Sequence, residues 1–190
     1  GHNVNAVLLG DKVGYHPEHD FSPIGSAATL PLVVVNRYDA PEKTLKALTD
    51  KIKSAPEPVT FASSGNGGSG HLAGELLAAT LKKKMLHVPY KGSSAALVDV
   101  MAGRIDFMFY PVVGVAENVQ ARKINVLAAA SDKRLPQFPG VPTMAEAGLP
   151  GLESTPSWVG MLAPANTPPE VVKKLNDALR SALAKPEVRT

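Results

Sequence analysis

The fold is decided by residues 59–82, which read VTFASSGNGGSGHLAGELLAATLK. The short apolar run from Val59 to Ser63 predicts a buried strand. Glycines and small polar residues follow, and from about Ser69 to Lys82 the leucines recur at helical spacing. The stretch therefore predicts a strand, a glycine-rich loop and a helix, which is the repeating unit of an α/β sheet.

The same alternation continues on both sides of this unit. Residues 31–36 (PLVVVN) predict a buried strand, and Thr44 is a suitable cap for a helix that runs to about Lys53. Further strands are predicted at 85–88, 107–109, 126–130 and 157–162, and further helices at 93–103, 112–121, 143–147 and from Thr167 onward. The pattern predicts an α/β fold with mainly parallel sheets covered by helices on both faces. Ligands of such sheets bind beyond the carboxyl ends of the strands.

Composition excludes several classes of site. The chain has 190 residues, 44% of them hydrophobic, and no cysteine. A disulfide framework, a cysteine-ligated zinc and a thiol nucleophile are therefore excluded. No run of 18 apolar residues predicts a membrane span. The chain does not open with the basic and then apolar segment of a signal peptide, which a trimmed chain would also lack.

The charge pattern does not support a nucleic-acid partner. The net charge is +3 and the pI about 9.1, but the one basic run is Lys82 to Lys84 and no aromatic residues are interspersed with it. These lysines follow a predicted helix, where cations complement the helix dipole. We expect a solvated helix end there, and a mildly positive surface that attracts small anions.

The loop from Ala62 to His71 is the strongest candidate binding site. Successive small residues let backbone N–H groups turn into one concavity at a helix start, and Ser64, Asn66 and Ser69 add short donors. Such a site suits a carboxylate or a phosphate. The alternative is an ordinary strand-to-helix connection with a serine cap.

A second loop follows the next predicted strand. Tyr90 offers an apolar face and a hydroxyl, Lys91 a positive charge, and Gly92, Ser93 and Ser94 backbone donors and a cap. Two helix starts facing one cleft would trap an anion. Alternatively, Tyr90 packs in the core and Lys91 points to solvent. Tyr110, at a third strand end, is a candidate for the same cleft.

The sequence does not favour an enzyme, a cofactor or a metal. The pattern Gly65-x-Gly67-x-x-Gly70 matches a dinucleotide fingerprint, but the next strand ends without the required acid. Ser69 and His71 do not form a nucleophile elbow. His71 and Glu75 have the i, i+4 spacing of a metal pair with no second cluster, so we interpret them as a helix-face contact. His16 and His19 are predicted surface residues.

Several motifs in order resemble one family. They are His2-x-x-Asn5, Tyr15-His16-Pro17-x-x-Asp20-Phe21, Ala62-Ser63-Ser64-Gly65-x-Gly67-x-Ser69-x-His71-Leu72-Ala73-Gly74-Glu75, His87-Val88-Pro89-Tyr90-Lys91-Gly92, Val141-Pro142-Thr143-x-x-Glu146-x-Gly148 and Ser157-Trp158-x-Gly160-x-x-Ala163-Pro164. Along essentially its whole length the chain resembles the Bug-type (TctC-like) solute-binding receptors of tripartite tricarboxylate transporters.

This resemblance implies a type II periplasmic-binding-protein-like fold with two α/β lobes. Residues 1–36 would be a partial first lobe with a hinge strand, 37–155 a complete second lobe, and 156–190 a return to the first lobe. The resemblance also implies a set of ligand-binding residues: Ser64, Gly65, Gly67, Gly68, Ser69, His71, Tyr90, Lys91, Gly92, Ser93, Tyr110, His2 and Asn5.

The implied function is that of a monomeric periplasmic receptor. It would capture a small organic acid (a di- or tricarboxylate, an amino acid or an aromatic acid) in an interlobe cleft and deliver it to membrane transporter subunits. No catalysis, cofactor or metal is implied. The alternative is the effector-binding domain of a transcription regulator that senses a small organic acid.

The chain departs from the family pattern in two ways. Members usually begin with a segment that contains a Pro-Gly-Gly loop and extend past the last helix, so we expect this chain to be a fragment. Many members carry an aspartate where this chain has Tyr110. That difference leaves the identity of the ligand open.

Overall fold

The computed structural model describes Gly10 and residues 13–154 and 157–188. It divides the chain into two compact units, one formed by Gly1–Thr29 with Trp158–Thr190 and the other by Leu30–Ser157. The predicted site residues His2 and Asn5 lie outside the described residues. None of the described helices is both long and apolar enough to cross a membrane.

The unit Leu30–Ser157 is built on a five-stranded sheet with helices between its strands. Its strands are β2 (Leu32–Arg37), β3 (Thr60–Ser63), β4 (Leu86–Pro89), β5 (Phe107–Pro111) and β6 (Ile124–Ala130). Its helices are α1 (Leu45–Ser54), α2 (Ser69–Leu81), α3 (Ser93–Met101) and α4 (Val115–Gln120), followed by a 3-10 turn at Leu152–Ser154. The strand order is β4-β3-β5-β2-β6.

Four of these strands run in one direction, and β2 is reversed. β3 pairs in parallel with β4 and β5, whereas β2 pairs antiparallel with β5 and with β6. Because β2 is hydrogen-bonded between β5 and β6, it is an integral part of this sheet. The compact unit Leu30–Ser157 therefore includes β2.

Buried side chains cover both faces of the sheet. Along β2, Leu32 and Val34 pack in one cluster with Leu77 of α2, while Val33 and Val35 pack in the other with α3 residues. A strand buried on both faces needs a continuous apolar run, which is why PLVVVN does not alternate with polar residues.

Helix ends follow the sequence signals in most places. Thr44 caps α1 by accepting a hydrogen bond from the Ala47 N–H at 3.1 Å. The predicted helix at 143–147 is instead a turn. In it, the Thr143 and Glu146 side chains each accept a hydrogen bond from the other's backbone N–H, so a capping pair forms without a helix beyond it.

The other unit contains a two-stranded sheet and one long helix. The strands are β1 (Phe21–Leu30) and β7 (Ser157–Pro164), and the helix is α5 (Pro169–Leu183), followed by a 3-10 turn at Pro186–Val188. The Ser22 hydroxyl donates to the Ala165 carbonyl at 2.9 Å, and the Asn176 amide donates to the Ile24 carbonyl at 2.5 Å. A surface pocket of about 510 Å³ lies between these segments. Exposed His16 and His19, stacked at 4.3 Å, are surface residues as predicted.

Close packing of α2 on the sheet depends on a glycine. A Cβ at Gly74 would lie 2.1 Å from Cε2 of Phe61, a fully buried ring. No real Cβ approaches a carbon so closely, and the ring has no space into which to move.

We therefore predict that Gly74→Ala lowers the free energy of unfolding by about 1–2 kcal/mol, because overpacking outweighs the better helix propensity of alanine. Urea denaturation measures the change. Gly140→Ala is the matched control, because nothing lies within 4 Å of a Cβ there. Equal stability of the two variants would contradict this packing.

A polar cluster around Asp106 lies at the end of the sheet where β3 and β5 begin. Its carboxylate accepts hydrogen bonds from the Lys51 ammonium at 2.7 Å and from the Thr60 hydroxyl and N–H at 2.7 and 2.8 Å. Burial raises the pKa of Asp106, but the hydrogen bonds from Lys51 and Thr60 outweigh it and hold the pKa below its ordinary value.

Because the folded-state pKa of Asp106 is depressed, its stabilising contribution is present at neutral pH and lost as the pH falls through the folded-state value. We predict that Asp106→Asn lowers the free energy of unfolding by about 1–2 kcal/mol at pH 7 and by much less near pH 2. Denaturation at the two pH values measures this. A loss of the same size at both, or a similar loss in the exposed control Asp132→Asn, would exclude a role for the charge.

Candidate functional site

Three strand ends meet at one edge of the five-stranded sheet. Ser63, the last residue of β3, lies opposite Pro89 of β4, and its carbonyl accepts the Tyr90 N–H at 3.0 Å. On the other side, a Cβ at Gly70 would lie 2.8 Å from the carbonyl oxygen of Phe109 in β5. The glycine-rich loop therefore lies directly beside the loop after β4 and against the end of β5.

The glycine-rich loop leads into α2 through backbone that only glycine adopts easily. Gly65 has φ +130° and Gly67 has φ +71°, and Gly68 is the N-cap residue of α2. No side chain caps this helix start, so the ordinary serine cap considered from the sequence is not formed. The first-turn N–H groups have no carbonyl partner within the helix, which makes this turn a donor for an anion.

Two histidines lie behind this loop. The Gly67 N–H donates to Nδ1 of His71 at 3.0 Å, and the His71 ring stacks on the His87 ring with 3.9 Å between centroids. Nε2 of His87 is 2.7 Å from the Ser63 hydroxyl, which also accepts the Gly65 N–H at 3.1 Å. Both left-handed glycines are thus connected to the stacked rings.

Burial is the main cause that lowers the pKa of His87 to about 4, with a smaller contribution from repulsion by His71. The ring also stacks on Phe61, at 4.9 Å between centroids. At neutral pH His87 is therefore uncharged.

The second loop enters α3 in a similar way. Its N-cap is Gly92, with φ +112° and no side-chain cap, so Ser93 is the first helical residue and not the cap. Tyr90 is partly buried, and its hydroxyl donates to Asp99 at 2.6 Å, the main reason that the pKa of Tyr90 is raised. Lys91 is exposed. The Tyr90 hydroxyl is therefore already bound within this unit.

The remaining predicted residues are distributed around this edge. Ser64, Ser69 and Ser93 are partly exposed, and Gly67 and Gly68 are buried. Tyr110 is partly buried and packs against the core cluster that contains Val33. The structure thus brings the described candidates of both loops together, with Tyr110 on the neighbouring strand.

Sequence reasoning did not predict two side-chain contacts that shape this edge. Ser63 and His87 connect β3 to β4 behind the loop, and Asp99 holds the Tyr90 hydroxyl. The parallel pairing of two strands is needed to bring Ser63 near His87, so no local pattern marks this contact. Asp99 lies about two turns into α3, which begins just after Tyr90. This position is only weak sequence evidence for a contact between the two side chains.

The local chemistry does not assemble a catalytic triad or a metal site. Nδ1 of His71 is occupied by the Gly67 N–H, and Nε2 faces Oε1 of Glu75 at 3.7 Å. Within residues 13–154 and 157–188, no group of three or more histidine, aspartate or glutamate side chains could hold a metal ion.

The fold is that of the type II periplasmic binding proteins, as similar solved structures show. The family model of the tripartite tricarboxylate transporter family receptor matches residues 5–190. The chain belongs to this family, which confirms the resemblance found in its motifs. It is a family of receptors and not of enzymes.

Individual relatives support the same assignment. A Pseudomonas protein described by its place in the tcbD–tcbE intergenic region is 43% identical over 178 residues, which are 93% of this chain and 53% of that protein. MatC from Rhodopseudomonas palustris, solved with bound malate, has a TM-score of 0.90 at 33% identity and is matched over 100% of this chain and 64% of its own.

A second Rhodopseudomonas palustris protein, solved with adipate, has a TM-score of 0.86 at 32% identity, with 92% of this chain and 58% of that chain covered. The chain spans about half the length of the sequence relatives that it matches.

We predict that His87 titrates near pH 4, which the NMR chemical shifts of its ring measure as a function of pH. His71→Asn should raise this pKa only part of the way to the ordinary value, because burial is the larger cause. Since the unfolded-state pKa of histidine is about 6.5, the unfolded chain binds the proton first, and His87 makes stability fall as the pH drops from about 6.5 to 4. His87→Phe should reduce this fall in urea denaturation. An ordinary pKa for His87 would contradict its burial.

Proposed function

We propose that this chain is the ligand-holding part of a periplasmic solute-binding receptor for a small carboxylate-bearing anion. The observation that carries the proposal is that two glycine-capped helix starts follow adjacent parallel strands at the same end of the sheet. The start of α2 and the loop before α3 lie side by side because Ser63 and Pro89 are neighbours in adjacent parallel strands. Membership of the receptor family supports the same function.

The energetics favour a ligand that contacts both loops. Micromolar binding needs about 8 kcal/mol. A charge-assisted hydrogen bond contributes roughly 1.5–3 kcal/mol, and a helix start about 0.3–1 kcal/mol. One loop with one or two such bonds falls short of that total. Two adjacent loops that share one carboxylate come close to it, provided that other groups hold the rest of the ligand.

The ligand class proposed here is a small dicarboxylate or a related acid. The similar structures were solved with malate and with adipate, which both carry two carboxylates. Backbone donors recognise the carboxylate without selecting the carbon skeleton, so one such edge suits different acids. Exposed Lys91 beside the second loop would attract the anion from solution.

We further propose that the unit Leu30–Ser157 is the second lobe of the receptor and that the other unit is part of the first. The receptor would be a periplasmic monomer that delivers its ligand to the membrane subunits of a tripartite tricarboxylate-type transporter. Family membership supports this role.

The test is a binding screen of the full-length receptor against malate, adipate, citrate, an amino acid and an aromatic acid, by thermal shift and calorimetry. The proposal predicts a raised Tm and a measurable Kd with at least one of these acids. No shift with any of them would contradict it.

With the acid found in that screen, we predict that Lys91→Met weakens binding about two- to fivefold at low salt and less at high salt, because an exposed charge is screened. Lys83→Met is the matched control, since Lys83 is also exposed but follows the far end of α2. Equal effects of the two substitutions would place the ligand away from the second loop.

A further inference from the structure

The stacked histidines behind the glycine-rich loop have a geometry that does not require contact with a ligand. The His71 ring lies between the His87 ring, at 3.9 Å between centroids, and the Gly67 N–H, 3.0 Å from Nδ1. Its other nitrogen, Nε2, faces Glu75 at 3.7 Å. Both ring nitrogens of His71 and one face of its ring therefore contact groups of this same unit.

We propose that His71 is a positioning residue, which holds the anion-binding loop through the Gly67 N–H. This inference rests on the proposed function for its consequence in binding. It reassigns His71, which the family resemblance places among the ligand contacts.

The hydrogen bond from the Gly67 N–H determines which nitrogen of His71 carries the ring proton. Nδ1 accepts the Gly67 N–H, so Nδ1 must carry a lone pair and the ring proton must be on Nε2. A second proton would occupy Nδ1 and set two donors against each other. This contact therefore fixes the tautomer of His71 and links its ring to Gly67, whose φ is +71°.

His87 adds a second contact that holds the glycine-rich loop. Its Nε2 contacts the Ser63 hydroxyl at 2.7 Å, and that hydroxyl accepts the Gly65 N–H at 3.1 Å. One ring therefore holds Gly67 directly, and the other holds Gly65 through a serine. Burial and the neighbouring ring keep the pKa of His87 at about 4, so the ring beneath His71 is neutral at physiological pH.

The titratable groups that the described structure places against the His71 ring come from two elements. Glu75 is on α2 itself, and His87 is on β4; β3 contributes the neutral ring of Phe61, at 6.5 Å between centroids. The His71 ring thus contacts groups from α2, β3 and β4.

Two substitutions separate the acceptor from the ring. In His71→Asn the side-chain oxygen takes the position of Nδ1 and does not titrate, while His71→Leu fills similar space without an acceptor. Both lose the stacking on His87, so the pair differs in the hydrogen bond to Gly67. Circular dichroism confirms that each variant is folded.

The first measurement needs no ligand. Amide exchange by NMR gives the protection factor of the Gly67 N–H at pH 8. We expect wild type and His71→Asn to be protected and His71→Leu to be about two- to tenfold less protected. Equal protection in the two variants would overturn the proposal.

The second measurement uses malate and adipate with the full-length receptor. We expect His71→Asn to bind within about twofold of wild type at pH 8 and His71→Leu to bind about two- to tenfold more weakly. If His71→Asn keeps Gly67 protected but binds as weakly as His71→Leu, His71 contacts the ligand and the positioning role is wrong. If no acid binds to wild type, the proposed function fails while amide exchange still decides the role of His71.

Discussion

The first turns of α2 and α3 present backbone N–H groups that no carbonyl within either helix can reach, and parallel pairing of β3 with β4 places the loops that lead into these turns side by side. The Ser63 carbonyl accepts the Tyr90 N–H, so the spacing of the two loops is set by one ladder of backbone hydrogen bonds. No side chain caps either helix start, so the first-turn N–H groups of α2 and α3 do not donate to a capping side chain. An anion is the natural partner of such an edge.

The rest of the unit maintains this arrangement by close packing. Gly74 lets α2 rest on the Phe61 ring, and Gly70 lets its first turn approach the Phe109 carbonyl. Phe61 in turn stacks on His87, so the helix, the strand and the histidine pair share one contact surface. A change in the packing of α2 would therefore move the backbone N–H groups at the start of that helix.

Much of this could be predicted from the sequence, since strand, glycine loop and helix each have a local signal. The strand at 31–36, the Thr44 cap and the loop before α2 are of this kind. The direction of β2 was not predictable, because an apolar run indicates burial on both faces but not orientation. The turn at 143–147 carries a helix-capping pattern, yet the Gly148 and Pro150 that follow leave no room for a helix.

The roles of side chains were harder to predict than their positions. Spacing linked His71 to Glu75, whereas the shorter contact is to the backbone of Gly67, four residues earlier. The partnership of Ser63 with His87 depends on strand pairing and is invisible locally. Tyr90 was expected to offer its hydroxyl, but Asp99 accepts it. Contacts made across elements thus decide which polar groups remain for a ligand.

The central claim is that backbone N–H groups of both helix starts bind one carboxylate. Amide chemical-shift mapping of the full-length receptor, titrated with whichever of malate, adipate or citrate binds, tests it directly. The account predicts that the largest downfield shifts occur together at residues 68–70 and 92–94. Shifts concentrated elsewhere, or at only one of these two turns, would contradict it.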